Sequence, residues 1–192
     1  MIKIHAESLG NRSFLFESQP PYQENNFEVL NGEPLVLTPP AIRHQRAVLK
    51  TASMLLRKLE NRGLGTILCA PCHVMLSPWD IVQPDILFIR KERTGIIGEQ
   101  IVLGSPDLVI EILAGKTKAS EKREKRKIYS ESGVAEYWVV DPEGESVEVL
   151  IWSEIGYIST GTFVKGSTLN SLALPDLELP VSTLFSFESS CH

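Results

Sequence analysis

The chain is 192 residues long and 43% hydrophobic, with 19 Lys and Arg against 24 Asp and Glu and a formal net charge of −5. That size and composition suit one domain with a hydrophobic core, and the acidic balance excludes a protein that coats nucleic acid over its whole surface, while leaving room for a local basic stripe. No apolar run reaches the ~20 residues needed to span a bilayer, and Met1-Ile2-Lys3-Ile4-His5-Ala6-Glu7 is not a basic lead into an apolar stretch, so a cytoplasmic protein with no membrane partner is expected.

Residues 1–26 mix polar, Pro and aromatic residues without a clear period and read as an N-terminal extension, leaving 27–192 as a single domain. A hairpin opens it. Phe27-Glu28-Val29-Leu30 and Glu33-Pro34-Leu35-Val36-Leu37 flank Asn31-Gly32, the dipeptide that best supplies the positive φ angles of a type I′ turn. After Pro39-Pro40 a helix is predicted to run to about Arg62 and stop at Gly63, with Val48, Leu49, Ala52, Leu55, Leu56 and Leu59 as its apolar stripe. His44 falls in the first turn on the inward face of Val48, Ala52 and Leu55, where a histidine satisfied in the core and a catalytic one both fit.

Strands are expected at about 66–76, 84–90 and 107–113, separated by loops carrying Ser77-Pro78 and Gly95 or Gly98. Cys69-Ala70-Pro71-Cys72-His73 matches a haem-attachment pattern and, in its first four residues, a thioredoxin-like redox pair. Redox chemistry of that kind needs a helix after the second cysteine, whereas His73-Val74-Met75-Leu76 is patterned as a strand. Haem attachment goes with export, and no second ligand pair points to zinc. The expectation is two small strand residues, and three cysteines (Cys69, Cys72 and Cys191) are too few for a disulfide framework.

A second helix is predicted from about Ser120 to Ser132, closed by Gly133. Glu136-Tyr137-Trp138-Val139-Val140 and Val147-Glu148-Val149-Leu150-Ile151-Trp152 then form a hairpin around Asp141-Pro142-Glu143-Gly144. The Leu-rich tail from Leu169 to Phe187, with Pro175 and Pro180, reads as short irregular pieces. The order of hairpin, helix, three strands, helix and strands specifies an α/β (α+β) fold, a mixed β-sheet flanked by helices with an N-terminal β-hairpin.

Glu111 is the most informative residue. It stands in the run Leu108-Val109-Ile110-Glu111-Ile112-Leu113, where alternation puts it on the face of Val109 and Leu113 and both faces are otherwise apolar. A carboxylate placed there loses its hydration unless a cation or metal compensates it; a strand-end glutamate reaching water or paired with one arginine is the plainer alternative. Asp85 opens the earlier apolar run. Lys125 lies on the second helix beside Ile128 and Tyr129, its apolar docking pair, and a lysine there calls for a carboxylate or phosphate partner unless its head reaches water. The segment 116–127 carries Lys116, Lys118, Lys122, Arg123, Lys125, Arg126 and Lys127 against Glu121 and Glu124, which suits either a polyphosphate backbone or an ordinary solvated face.

These residues resemble the restriction-endonuclease-like family of the PD-(D/E)XK nuclease superfamily. The matching pieces are Phe27-Glu28-Val29-Leu30-Asn31-Gly32-Glu33, Pro39-Pro40 with His44, Gln83-Pro84-Asp85, Ser105-Pro106-Asp107 leading into 108–113, and Lys125 four before Tyr129. The most specific is Gly133-Val134-Ala135-Glu136-Tyr137-Trp138-Val139-Val140-Asp141-Pro142, and the resemblance covers about residues 27–187.

The resemblance implies that Asp85 and Glu111 are the metal carboxylates, with the backbone carbonyl of Ile112 as a further ligand of Mg²⁺ or Mn²⁺. In the simplest superfamily pattern a lysine stands two residues after the glutamate, where this chain has Leu113, so the catalytic lysine becomes Lys125. Glu28 matches an upstream glutamate that would hold a metal-bound water or a second metal, or else would pair across the hairpin. Two departures, Ala114-Gly115 in place of Ser-Pro and Glu121 in place of Asp, bear on the loop beside the site. The resulting expectation is a metal-dependent endonuclease hydrolysing DNA phosphodiester bonds, with homodimerisation left open. Its rival is a catalytically degenerate nuclease-fold protein that binds DNA or a partner in a defence or mobile-element system.

Overall fold

The computed structural model describes residues 4–5, 15–16, 27–113, 119–174 and 177–185, of which 4–5, 15–16 and 119–121 by their backbone alone. Most of the extension over 1–26, the Ala114-Gly115 pair with Lys116 and Lys118, the Glu121 side chain and the end of the tail lie outside the described residues.

Short strands β1 (Ile4–His5) and β2 (Leu15–Phe16) pair antiparallel. The predicted hairpin is β3 (Phe27–Leu30) with β4 (Glu33–Val36), and Asn31 at φ 52° and Gly32 at φ 81° supply the two positive angles of its turn. Helix α1 runs Ile42–Lys58, and a 3₁₀ turn over Glu60–Arg62 completes the predicted helix. Its buried face differs from the expected stripe. Ala52, Leu55 and Leu59 are buried and Val48 is half-buried, but Leu49 is 71% exposed and Leu56 37%. The face is rotated towards His44, Ala47, Thr51 and Met54, because the small side chains of Ala47, Thr51 and Ala52 let the helix come close to the sheet, which turns Leu49 and Leu56 outward.

The strand expected at 66–76 is two strands in two sheets, β5 (Gly65–Cys69) and β6 (His73–Ser77), because Pro71 between them has no N–H to give a ladder. Then come β7 (Asp80–Val82), β8 (Ile86–Arg90), a 3₁₀ turn over Lys91–Ile96, β9 (Ile101–Leu103) and β10 (Leu108–Ile112). Helix α2 spans Ala119–Glu131, and Gly133 at φ 74° turns the chain out of it. The predicted hairpin follows as β11 (Glu136–Asp141) and β12 (Ser146–Ile151). Next are β13 (Ile158–Val164), β14 (Thr168–Asn170), β15 (Glu178–Pro180) and the short helix α3 (Ser182–Phe185). Strands β7, β9, β14 and β15 are three residues each and β13 is mostly exposed, so none carries the apolar alternation that marks a strand in sequence.

A six-stranded sheet in the order β13-β12-β11-β10-β8-β5 forms the centre, antiparallel except where β10 and β11 run parallel. A five-stranded sheet, β4-β3-β7-β6-β9, carries the hairpin. The central strands are covered on both sides. Leu108, Ile110, Ile112, Ile86, Phe88 and Trp138 pack with α1 and the C-terminal segment; Val109, Leu87, Ile89 and Tyr137 pack with Ile128 and Tyr129 of α2 and with Leu30, Val74, Val82 and Val102 of the second sheet. Among the described residues no helix is long and apolar enough to cross a membrane. Cys72 is followed by a strand, as expected, and both thiols are half-buried; burial and the charge of Asp85 push Cys69 up, and burial pushes Cys72 up, so neither is an activated thiolate.

Candidate active site

Strands β8 and β10 are paired as Leu108 with Phe88, Val109 with Leu87 and Ile110 with Ile86. Glu111 lies one residue past the last of these pairs in β10 and Asp85 immediately before β8, so both acids stand at the same end of this strand pair. Asp85 is held from two directions. Its Oδ2 accepts the Ile112 N–H at 2.7 Å and lies 3.1 Å from Nε2 of His44, which reaches it from the first turn of α1. The bond to Asp85 raises the pKa of His44 above its ordinary value against the opposing effect of burial, and the charges of Asp85 and Glu111 and the Ile112 backbone add to the rise.

Helix α2 packs on the face of the sheet opposite α1, with Val109 and Leu87, and brings Lys125 and Tyr129 together, one turn apart. Both donate to the same oxygen, Oε1 of Glu111: Lys125 Nζ at 3.1 Å and the Tyr129 hydroxyl at 2.6 Å. Lys125 Nζ also stands 2.8 Å from Oε1 of Glu28, a residue with 0% exposure in β3. That oxygen accepts the backbone N–H of Gln83 at 2.7 Å as well, while Glu28 Oε2 is buried without a hydrogen-bond partner. Gln83 is itself tied down, its side-chain amide donating to the Phe27 carbonyl at 2.8 Å and lying 3.2 Å from His73 Nε2. The hairpin turn is fastened to α2 by Asn31 Nδ2, which donates to Glu124 at 2.6 Å.

Two carboxylates, Glu28 and Glu111, thus share one ammonium, and the charge of Asp85 acts on Glu111. Burial raises Glu111 to about 7; Lys125 and the Tyr129 hydroxyl oppose that rise, and the charges of Asp85 and Glu28 reinforce it. Burial works against the charge on Lys125, but Glu111 and Glu28 outweigh it and leave the lysine above its ordinary value. Burial, followed by the Glu111 charge, holds Tyr129 well above the usual phenol range, so its hydroxyl stays a donor. Glu136 and Asp107 are buried acids of a different kind. Glu136 accepts from Trp138 Nε1 at 2.5 Å, Ser171 Oγ at 2.7 Å and Ala173 N at 2.8 Å, and Asp107 takes the Arg90 N–H and the Arg93 guanidinium. Their lone pairs are spent on the fold.

The donor set fits a hard divalent cation. Among the described residues no three His, Cys, Asp or Glu side chains converge to enclose a metal by themselves. Mg²⁺ does not ask for that, since it takes one or two carboxylates and keeps several waters. The surplus of negative charge around Lys125 and the buried, unpartnered oxygen of Glu28 are what such an ion would relieve.

The proposed catalytic residues come together here: Lys125 contacts both Glu28 and Glu111, and Asp85 is joined to the Ile112 amide. Glu28 stands opposite Leu35 in the hairpin, but its carboxylate turns to Lys125 and Gln83. Sequence reasoning named His44 without its partner Asp85, and missed the Tyr129 hydroxyl and the Gln83 backbone amide as donors. Tyr129 stands in the sequence as an apolar docking residue and as part of the family motif, and its place four after Lys125 brings the two side chains together. The Gln83 amide and the His44 bond to Asp85 join residues 55 and 41 apart in sequence, for which no local signal exists.

Comparison with known proteins bears on the fold and the family. A crystal structure described as a putative nuclease belonging to DUF820, from Anabaena variabilis, superposes with a TM-score of 0.73 at 16% identity, over 86% of this chain and 93% of that one. The central sheet and its flanking helices therefore form a restriction-endonuclease-like fold. No curated protein matches the chain. The sequence model of the Uma2 family, described as "Putative restriction endonuclease", matches residues 15–182. With that match spanning most of its length, the chain belongs to the Uma2 family.

Proposed function

We propose that the chain is a metal-dependent endonuclease that hydrolyses phosphodiester bonds in DNA, with Asp85, Glu111 and the Ile112 carbonyl holding Mg²⁺ or Mn²⁺ and with Lys125 and Glu28 completing the catalytic set. The observation that carries this reading is the Lys125 ammonium held between Glu28 and Glu111, with Asp85 bonded to the amide of Ile112, the residue next to Glu111. A divalent ion bound there supplies Lewis-acid polarisation of the scissile phosphate and a water of lowered pKa.

The chain's own residues supply orientation and charge. The Ile112 N–H and His44 restrain Asp85, so its carboxylate has little freedom to lose on binding. Tyr129 fixes one oxygen of Glu111 and leaves the other to a ligand. Lys125, protonated under all ordinary conditions, donates to a phosphate oxygen as negative charge builds on it, or orients the attacking water; both are positioned electrostatic roles. Glu28 keeps the ammonium in place through Oε1 and offers Oε2 to a water.

The test is nicking of plasmid DNA with Mg²⁺ or Mn²⁺. Glu111→Ala and Lys125→Ala should each lower the rate by at least about a hundredfold, the scale expected when a transition-state charge partner is removed. A wild-type protein that binds DNA and cuts none of a broad substrate panel with either metal would instead be a catalytically degenerate member of the fold.

A further inference from the structure

A cleft of about 560 Å³ lies along the side of α2 opposite the acid cluster. Arg123, Arg126 and Lys127 line one wall and the segment joining β12 to β13, with Trp152 and Tyr157, lines the other. At 100° per residue Arg123 and Lys127 lie about 160° around α2 from Lys125 and Arg126 about 100°, which puts the cleft on a different side of the helix from the Glu28 and Glu111 contacts.

The aromatic wall is held in place. The Trp152 indole N–H donates to the Ser130 carbonyl at 2.7 Å, which fixes the ring, yet 42% of the residue stays exposed. Tyr157 is pinned by its hydroxyl, which donates to the Val134 carbonyl at 2.9 Å. The cations are available. Arg123 is exposed and forms no ion pair among the described residues, Arg126 stands 3.8 Å from Glu148, and Lys127 stands 3.7 Å from Glu131, distances that leave both partly solvated.

A fixed, partly open indole beside three cations, which outnumber the two acids Glu131 and Glu154 in the same lining, matches the chemistry of a nucleotide, with a planar base to stack and phosphates to neutralise. The volume falls in the range of small-molecule sites, about 300–1,000 Å³, and has room for a nucleotide. Bases within a duplex have both faces covered. We infer that this cleft is a subsite for an unpaired nucleic-acid strand, one base stacking on Trp152 while the flanking phosphates lie on Arg123, Arg126 and Lys127. The inference rests on the nuclease reading only for its nucleic-acid context. It adds that the preferred substrate carries an unpaired segment next to the point of cutting, as at a flap, gap or frayed end.

The experiment uses the full chain in EDTA, so that binding is read without cleavage, with fluorescent oligo-dT and a blunt hairpin duplex of equal charge. Oligo-dT should bind more tightly than the hairpin and quench tryptophan emission. Trp152→Ala should weaken oligo-dT binding by about 5- to 150-fold, the range that stacking of about 1–3 kcal/mol corresponds to, and leave the hairpin unchanged. Trp152→Phe should retain most of the affinity and lose the quenching. Arg123→Ala, at an exposed position that does not threaten folding, should flatten the salt dependence for oligo-dT by about 0.7 in the log–log slope, and Arg62→Ala, beyond the end of α1, should not.

Equal affinity for the two probes, or oligo-dT binding indifferent to both Trp152→Ala and Arg123→Ala, would overturn the inference. If plasmid nicking survives that result, the nuclease reading stands without the subsite. If oligo-dT binding depends on Trp152 while no metal supports cleavage, the subsite stands and the nuclease reading fails.

Discussion

Lys125→Met keeps the volume of the stem and removes the ammonium that stands 2.8 Å from Glu28 and 3.1 Å from Glu111. Both carboxylates then remain in the interior without their cation, Glu28 with 0% exposure and Glu111 with a side chain 14% exposed. Removing one member of a buried pair costs about 3–5 kcal/mol, and a chain of this size loses about 2–4 °C in Tm per kcal/mol, so the variant should melt about 6–20 °C below wild type at pH 8. The pH dependence has a definite sign. Glu111 titrates at about 7 in the folded protein, above its ordinary 4.5, so the protonated form is favoured by folding; that contribution is complete below 4.5 and lost as pH rises through about 7. Loss of Lys125, whose charge opposes the rise, lifts the folded value further, and the deficit is therefore larger at pH 8 than at pH 5. Thermal melts in EDTA of wild type, Lys125→Met and the Lys125→Met/Glu111→Gln double variant measure this, with the double variant recovering part of the loss. A Lys125→Met protein melting within about 2 °C of wild type at pH 8, less than roughly 1 kcal/mol, would put the ammonium in water with its stem on the core and refute the reasoning.

Millimolar Mg²⁺ or Mn²⁺ should raise the melting temperature of wild type, by more at pH 8 than at pH 6 because the ion competes with the proton on Glu111, and should not raise that of Glu111→Gln; an unmoved wild-type melt argues against a metal centre. Tyr129→Phe removes the donor 2.6 Å from Glu111 and should cost about 1.5–3 kcal/mol in urea unfolding, the worth of a hydrogen bond to a charged group. A cost indistinguishable from zero would mean that Glu111 does not use that hydroxyl. His44 has a folded pKa above 6.5, so its bond to Asp85 contributes fully below pH 6.5 and fades as pH rises through the folded value. His44→Gln should therefore be more destabilising at pH 6 than at pH 9, and a penalty that does not change with pH would reject the ion-pair character of that bond.

Much of this architecture is legible in one sequence because its signals are local. Asn31-Gly32 specifies a turn through φ angles that few other residues adopt, Gly133 ends a helix for the same reason, and a carboxylate at position 111 is conspicuous because both neighbouring faces are apolar. Glu111, Asp85 and Lys125 could be nominated from residue type and spacing and Glu28 from the family resemblance, and Lys125 joins Glu28 to Glu111 while Asp85 bonds the neighbouring Ile112 amide. What the tertiary structure alone decided is which groups complete them. Gln83 N–H on Glu28 and His44 on Asp85 depend on the meeting of two sheets and a helix, and the choice between Leu49 and Thr51 as the buried side of α1 depends on how closely that helix approaches β10. The division of 66–76 between two sheets and the cleft between α2 and Trp152 have the same origin. Periodicity and turn chemistry report the energy of a residue against its near neighbours, whereas these features are set by contacts between segments tens of residues apart, whose energies exist only once the chain has closed on itself.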